Sequence, residues 1–290
     1  MTPRERFVQV LNLQRPTDRL PMVEWAPWWD RTLERWEQEG MPSVGKRVER
    51  RLPVEALLAS MDYFGLDKLI CIGARAISSE CPPPAWHGAP LLSDARSYEE
   101  MREYLYTEAT IERLVTEAEQ LRESHAHGEV IIRLWLDGFF WFPRKLFGIE
   151  PHLYAFYDQP DLMHRMNSDL VDFNLRVIDA LFPILLPDMV GIAEDMSYNH
   201  GPMLSNALFR EFLLPYYERI IPHIKKQGVR VLVDSDGDIT SMIPWMIEAG
   251  IEGVYPLERQ AGVDLAAIRQ QYPGFLLLGG YDKMVMSRGQ

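Results

Sequence analysis

Apolar residues recur along this chain with two periods, and their alternation outlines a fold. After Pro160, the positions Leu162, Met166, Leu170, Phe173, Val177 and Leu181 are spaced by 4, 4, 3, 4 and 4 residues, the repeat of one buried helical face. A second helix is predicted from Ser205, with Phe209, Phe212, Tyr216, Ile220 and Ile224 inward and a bend at Pro215. The chain opens on a capping box, with Thr2 as cap, Pro3 in the first helical position and Glu5 closing it, ahead of a stripe of Phe7, Val10 and Leu11. Thr240 and Asp264 are read as caps of two short helices, the first stopping at Gly250. Between the helices lie apolar runs of strand length at 20–25, 68–73, 130–136, 189–193, 230–233, 253–255 and 275–278. Most lack polar alternation, as parallel strands covered on both faces do. Strand followed by helix, repeated, predicts an α/β fold of the TIM (β/α)8 barrel type, in a single domain over residues 1–290. Seven runs stand where a closed barrel takes eight. A last strand and helix are therefore expected to be missing at the C-terminus, because an unpaired seventh strand exposes an apolar edge.

Composition narrows the function classes. The 290 residues carry 30 Lys+Arg against 42 Asp+Glu, a net charge of −12, so phosphate backbones and anionic lipid surfaces are repelled. Two cysteines, Cys71 and Cys81, are too few for a disulfide framework or a four-cysteine metal site. The N-terminus lacks the apolar core of a signal peptide, and no run reaches the ~18 apolar residues of a membrane span, so a cytoplasmic protein is expected.

In such a barrel, reactive groups stand at the C-terminal ends of the strands. Those positions read Glu24 with Trp25, Arg75, Asp137, Glu194 with Asp195, Asp234 with Asp236, Glu258 and Asp282. A carboxylate comes from nearly every strand, and like charges a few Å apart raise each other's pKa. Buried arginine, a metal ion, a cationic substrate or protonation must offset them. For any one carboxylate the plainer role is a helix cap or loop anchor bonded to backbone amides. Glu194-Asp195 and the run Asp234-Ser235-Asp236-Gly237-Asp238 have a functional cast, since both end an apolar strand and Gly237 permits a sharp turn. Trp29, Tyr198 and Tyr255, with Trp25, serve either as core filler or as pocket walls suited to a methylated cation. Of the seven histidines only His200 falls near the expected pocket, and His125-x-His127 is expected in solvent.

Several segments, in order, resemble the uroporphyrinogen decarboxylase superfamily: Thr2–Arg6 through Arg15–Pro21, Phe64–Asp67, Leu146–Gly148 with Tyr157–Pro160, and Glu194–Met196 with Gly201-Pro202, Ser205, Phe209 and Pro215. The likeness continues through Asp234–Asp238, Glu248–Gly250, Pro256–Glu258 and Gly279–Lys283. The resemblance implies a TIM barrel and one of two chemistries. Its decarboxylases bind an acidic tetrapyrrole without cofactor, through an arginine-rich loop after the first strand. Here that loop reads Glu24-Trp25-Ala26-Pro27-Trp28-Trp29-Asp30, with no arginine before Arg31. Its cobalamin-dependent methyltransferases hold zinc with a His-x-Cys pair and a later Cys. That pair reads Asp234-x-Asp236 here and no cysteine follows Cys81, which excludes a thiolate-held zinc.

The leading expectation is a methyltransferase-like enzyme that passes a methyl group between a small methylated substrate and a corrinoid on a partner protein. Glu194, Asp195, Asp234 and Asp236 are the expected catalytic residues. Glu24, Trp25, Trp29, Asp137, Tyr198, His200, Tyr255, Glu258 and Asp282 are the expected substrate contacts. A divalent metal held by Asp234, Asp236 and Glu194 is a further expectation, all-oxygen ligation suiting Mg²⁺ or Mn²⁺, or a weakly held zinc. The alternatives are a cofactor-free decarboxylase (a carboxy-lyase) acting on a porphyrinogen or another carboxylic acid of the tetrapyrrole pathway, and a non-catalytic ligand-binding barrel. Neither nucleic acid nor membrane is an expected partner, and an oligomer is compatible with the sequence.

Overall fold

A computed structural model describes residues 1–26, 28–43 and 54–288. Eight strands are present among them: β1 (Leu69–Ala74), β2 (Ile131–Asp137), β3 (Met189–Ala193), β4 (Ser197–Tyr198), β5 (Gly201–Pro202), β6 (Arg230–Asp234), β7 (Gly253–Tyr255) and β8 (Leu276–Leu277). Six of them form one sheet in the order β1-β2-β3-β6-β7-β8, and β4 and β5 make a small antiparallel hairpin. The pairs β3–β6, β6–β7 and β7–β8 are parallel. Helices separate the sheet strands, which gives the predicted α/β fold of TIM type. The sheet is not closed into a ring among the described residues.

The chain divides into two compact units, one of residues 1–72 with 120–133, the other of 73–119 with 134–290. In the larger unit, helix Pro160–Leu181 buries Leu162, Met166, Leu170, Phe173, Val177 and Leu181, the face its spacing predicts. The Ser205 hydroxyl accepts from the Leu208 amide and caps helix Asn206–Phe212. The expected bend near Pro215 is a full break at Leu213, from which a new helix, Leu214–Lys225, starts with the proline in its first turn. Asp264 caps Leu265–Gln271 as predicted. Thr240 instead lies inside a 3-10 turn, and the Asp238 carboxylate takes its amide.

In the smaller unit, both hydrogen bonds of the Thr2–Glu5 capping box form, at 3.1 and 2.9 Å. Thr2→Ala should therefore lower unfolding free energy by about 1 kcal/mol in urea titration. The expected strand over 20–25 does not pair as a strand. Its place is taken by a side chain: the Asp67 carboxylate accepts the Met22 amide at 2.9 Å while the Asp67 amide donates to the Met22 carbonyl at 2.7 Å. A carboxylate thus occupies the position of a ladder carbonyl, and one such exchange does not propagate. His125, expected in solvent, is buried in the last turn of helix Glu108–Ala126. No helix among the described residues is long and apolar enough to cross a membrane.

Candidate active site

Parallel register brings the sequence-predicted carboxylates level. Ala193 pairs with Asp234, and Asp234 with Tyr255, so β3, β6 and β7 end on one line. The Glu194 and Asp195 amides both donate to the Asp234 carbonyl, at 2.9 and 3.0 Å. Glu194, Asp195, Asp234 and Asp236 therefore emerge side by side at one end of the sheet.

Their environments differ sharply. Glu194 is fully buried. One of its oxygens accepts the Phe139 amide at 2.8 Å and the Tyr217 hydroxyl. The other accepts the amides of Phe140 and Trp141, at 2.7 and 3.2 Å. These amides open helix Trp141–Phe147, so Glu194 fills the orphan donors of a helix N-terminus from a distant strand. Burial raises its pKa to about 7, and the four donors limit the rise. The approach is tight enough that Gly138 is required, since a Cβ there would lie 2.3 Å from the Glu194 carboxyl carbon.

Asp195 holds a left-handed backbone conformation (φ 46°), and Arg144 clamps it through both the carbonyl, at 3.0 Å, and the carboxylate, at 3.1 Å. Asp137, also fully buried, accepts the Ala76 amide at 2.8 Å and the Lys145 ammonium at 2.5 Å. Beyond β6, the turn is held at each step. The Ser235 amide donates to the Tyr255 carbonyl at 2.9 Å, the Ser197 hydroxyl donates to the Asp236 carbonyl, and the Asp238 amide donates to the Tyr198 carbonyl at 2.9 Å. The Gly237 amide donates to Glu258 at 2.9 Å. Asp236 itself reaches the surface. Loss of hydration within the turn, then the negative charges of Glu258 and Asp195, raise its pKa, with Lys283 opposing.

The remaining predicted contacts scatter. Tyr255 is buried, its hydroxyl lying over Gly191, where a Cβ would approach to 2.0 Å. Tyr198 is half exposed on the β4–β5 hairpin, with the exposed His200 ring edge-on at 5.7 Å. Asp282 accepts the Met284 amide at 3.0 Å in the final 3-10 turn, the plain capping role. Glu24, Trp25 and Trp29 belong to the smaller unit. Glu24 accepts the Trp25 and Ala26 amides at 2.9 and 3.0 Å. Arg133 lies 5.6 Å over the Trp25 ring, and Trp29 is 78% exposed at the start of helix Asp30–Gln38. A groove of about 420 Å³ beside Leu92, Phe147 and Tyr154 is lined by none of the predicted site residues.

The profile of the uroporphyrinogen decarboxylase (URO-D) family matches residues 94–290, the stretch that carries Asp137 through Asp282. The chain belongs to the uroporphyrinogen decarboxylase family. Its fold is similar to that of a methyltransferase from Methanosarcina mazei, with a TM-score of 0.65 and 15% identity over 96% of this chain and 82% of that one. At that identity the likeness shows the fold, a TIM-type α/β arrangement. No curated protein matches the chain.

Within this family member, the carboxylate-held metal does not fit the geometry. Both Glu194 oxygens face hydrogen-bond donors, and no three His, Cys, Asp or Glu among the described residues form a group that could hold an ion. The sequence pattern does not single out Tyr217, Lys145, Lys283 or Gln260, each of which bonds a predicted carboxylate. Their signal is weak: Tyr217 follows Tyr216 in a helical apolar face, and Lys283 closes the family-like segment Gly279–Lys283 with nothing in the pattern to pair it with Glu258. Arg144 clamps Asp195 as a counter-charge, one of the offsets that the crowded carboxylates require.

Proposed function

We propose that this family member is a methyltransferase-type enzyme that moves a methyl group between a small methylated substrate and a corrinoid carried by a partner protein. The observation that carries the reading is the charge balance at the strand ends. Arg144 is paired with Asp195, Lys145 with Asp137 and Lys283 with Glu258, while Asp236 stands at the surface among further negative charge. A cationic methylated group is attracted to such a mouth, a neutral one is not opposed, and a substrate bearing many carboxylates is repelled. Asp236 and Asp195 orient the substrate, and Tyr198 offers a ring face to an alkylammonium head. The methyltransferase fold of the neighbour from Methanosarcina mazei is in keeping with this reading.

A second reading rests on the raised pKa of Asp236. A carboxyl that keeps its proton nearer neutrality can deliver it to the carbanion-like intermediate of a decarboxylation. Thermal shift measurements separate the two. Tetramethylammonium should raise Tm, since a ligand at a hundred times its Kd stabilises the folded state by about 2.7 kcal/mol. Asp236→Asn should weaken that binding about tenfold, or about 1.4 kcal/mol. Methylcobalamin absorbance should change on adding the enzyme with a methyl acceptor. Stabilisation by porphyrin carboxylates in place of amines, with CO2 released from uroporphyrinogen, would replace the methyltransferase reading with the second.

A further inference from the structure

Glu258 stands among the expected substrate contacts, but its carboxylate is fully engaged within the protein. One oxygen accepts the Gly237 amide at 2.9 Å, and the other accepts the Lys283 ammonium and the Gln260 side-chain amide, each at 2.5 Å. Gly237 cannot supply its own constraint. It sits at φ +84°, and a Cβ there would lie 2.5 Å from the Tyr198 backbone, so the turn is pressed against the β4–β5 hairpin, and its amide is the group that Glu258 holds. Glu258 thus comes from the loop after β7 to fix the residue next to Asp236, and Lys283 in turn fixes Glu258.

We propose that Glu258 is a positioning residue: it aims the Asp236 turn, and by engaging Lys283 it keeps that ammonium from pairing with Asp236. The proposal rests on the reading of Asp236 as a substrate contact. The charges around Asp236 are Glu258, Asp195 and Lys283, with Asp195 already held by Arg144. Lys283 is 56% exposed and Glu258 13%, so the lysine is free to swing once its partner changes, while the glutamate is not.

The arrangement gives a non-additive pattern that a merely structural residue would not produce. In Glu258→Gln, Lys283 loses its partner and turns to Asp236. Tetramethylammonium affinity should fall about five- to tenfold, a typical size for one added cation at a charged rim. Lys283→Met alone should leave that affinity equal to or above wild type, because it removes a competing cation. The double variant should recover most of the affinity lost in Glu258→Gln. If Glu258 were only structural, the double variant would be as weak as the worse single, and that result overturns the proposal. Amide hydrogen exchange at Gly237 provides a readout independent of any ligand. Its protection should be lost in Glu258→Ala and kept in Lys283→Met, and unchanged protection in Glu258→Ala overturns the proposal as well. Failure of the wild type to bind tetramethylammonium overturns the reading of Asp236, while the Gly237 exchange still decides whether Glu258 holds the turn.

Discussion

Glu194→Ala should cost about 3–5 kcal/mol of unfolding free energy, a large share of the roughly 5–15 kcal/mol that a protein of ordinary stability has. The change leaves the amides of Phe139, Phe140 and Trp141 buried without an acceptor and the Tyr217 hydroxyl without its partner, and it opens a void in the core. Glu194→Gln should cost less, about 1–3 kcal/mol, because one oxygen still accepts while the new NH2 faces a donor. The same group gives stability a pH dependence of defined sign. Burial raises the folded-state pKa from the ordinary 4.5 to about 7, so between those values the folded state holds a proton that the unfolded chain has released. The contribution is full below about 4.5 and is lost as pH rises through about 7, at about 1.4 kcal/mol for each pH unit between the two values. Urea midpoints across this window should fall with rising pH in wild type and flatten in Glu194→Gln. An equally steep slope in the variant would assign the dependence to another group.

That carboxylate also shows what the sequence could and could not convey. The helices of the larger unit were legible because their buried faces repeat every three or four residues, as in Pro160–Leu181, and because Ser205 and Asp264 have the chemistry of caps. The ends of β3 and β6 were legible because apolar runs stop abruptly at Glu194 and Asp234, and that of β7 because its run, which closes on Tyr255, meets Pro256. Register then brings these residues together without further specification. Partnership was not legible. Glu194 and Asp236 look alike as carboxylates after strands, yet one is enclosed by four donors and the other reaches the surface. The deciding partners, Tyr217 and the amides after Gly138, lie far along the chain. Mutual repulsion was expected to raise a pKa here; for Glu194 the cause is burial, and repulsion contributes at Asp236 only after loss of hydration. Histidine followed the same rule. Burial lowers the His152 pKa to about 3, so it is a neutral ring packed edge-on against Phe140 at 4.6 Å rather than a titrating group.

The run at 20–25 failed as a strand for a reason with an equally large energetic signature, because Asp67 occupies the place where its partner would be. Asp67 is 2% exposed and accepts from Arg6 at 2.5 Å, from Arg19 at 2.6 and 3.0 Å and from the Met22 amide at 2.9 Å. One carboxylate therefore ties the opening helix and the extended segment to the start of β1, all within the smaller unit. Asp67→Ala should cost about 3–5 kcal/mol, because the Arg6 guanidinium, 7% exposed, would remain buried with only Asp18 to balance it. The loss measures an abandoned charge rather than the net worth of the ion pair. Taking water from both partners is costly, and a buried pair replaced by apolar residues of similar volume is often neutral or better. Arg6→Met combined with Asp67→Leu should therefore recover at least half of the loss in Asp67→Ala, provided that Arg19 turns to solvent, to which it is already 40% exposed. Urea unfolding of the single and double variants at neutral pH makes the comparison. A double variant no more stable than Asp67→Ala would mean that the cost lies in the lost Met22 amide bond and the extended segment it fixes.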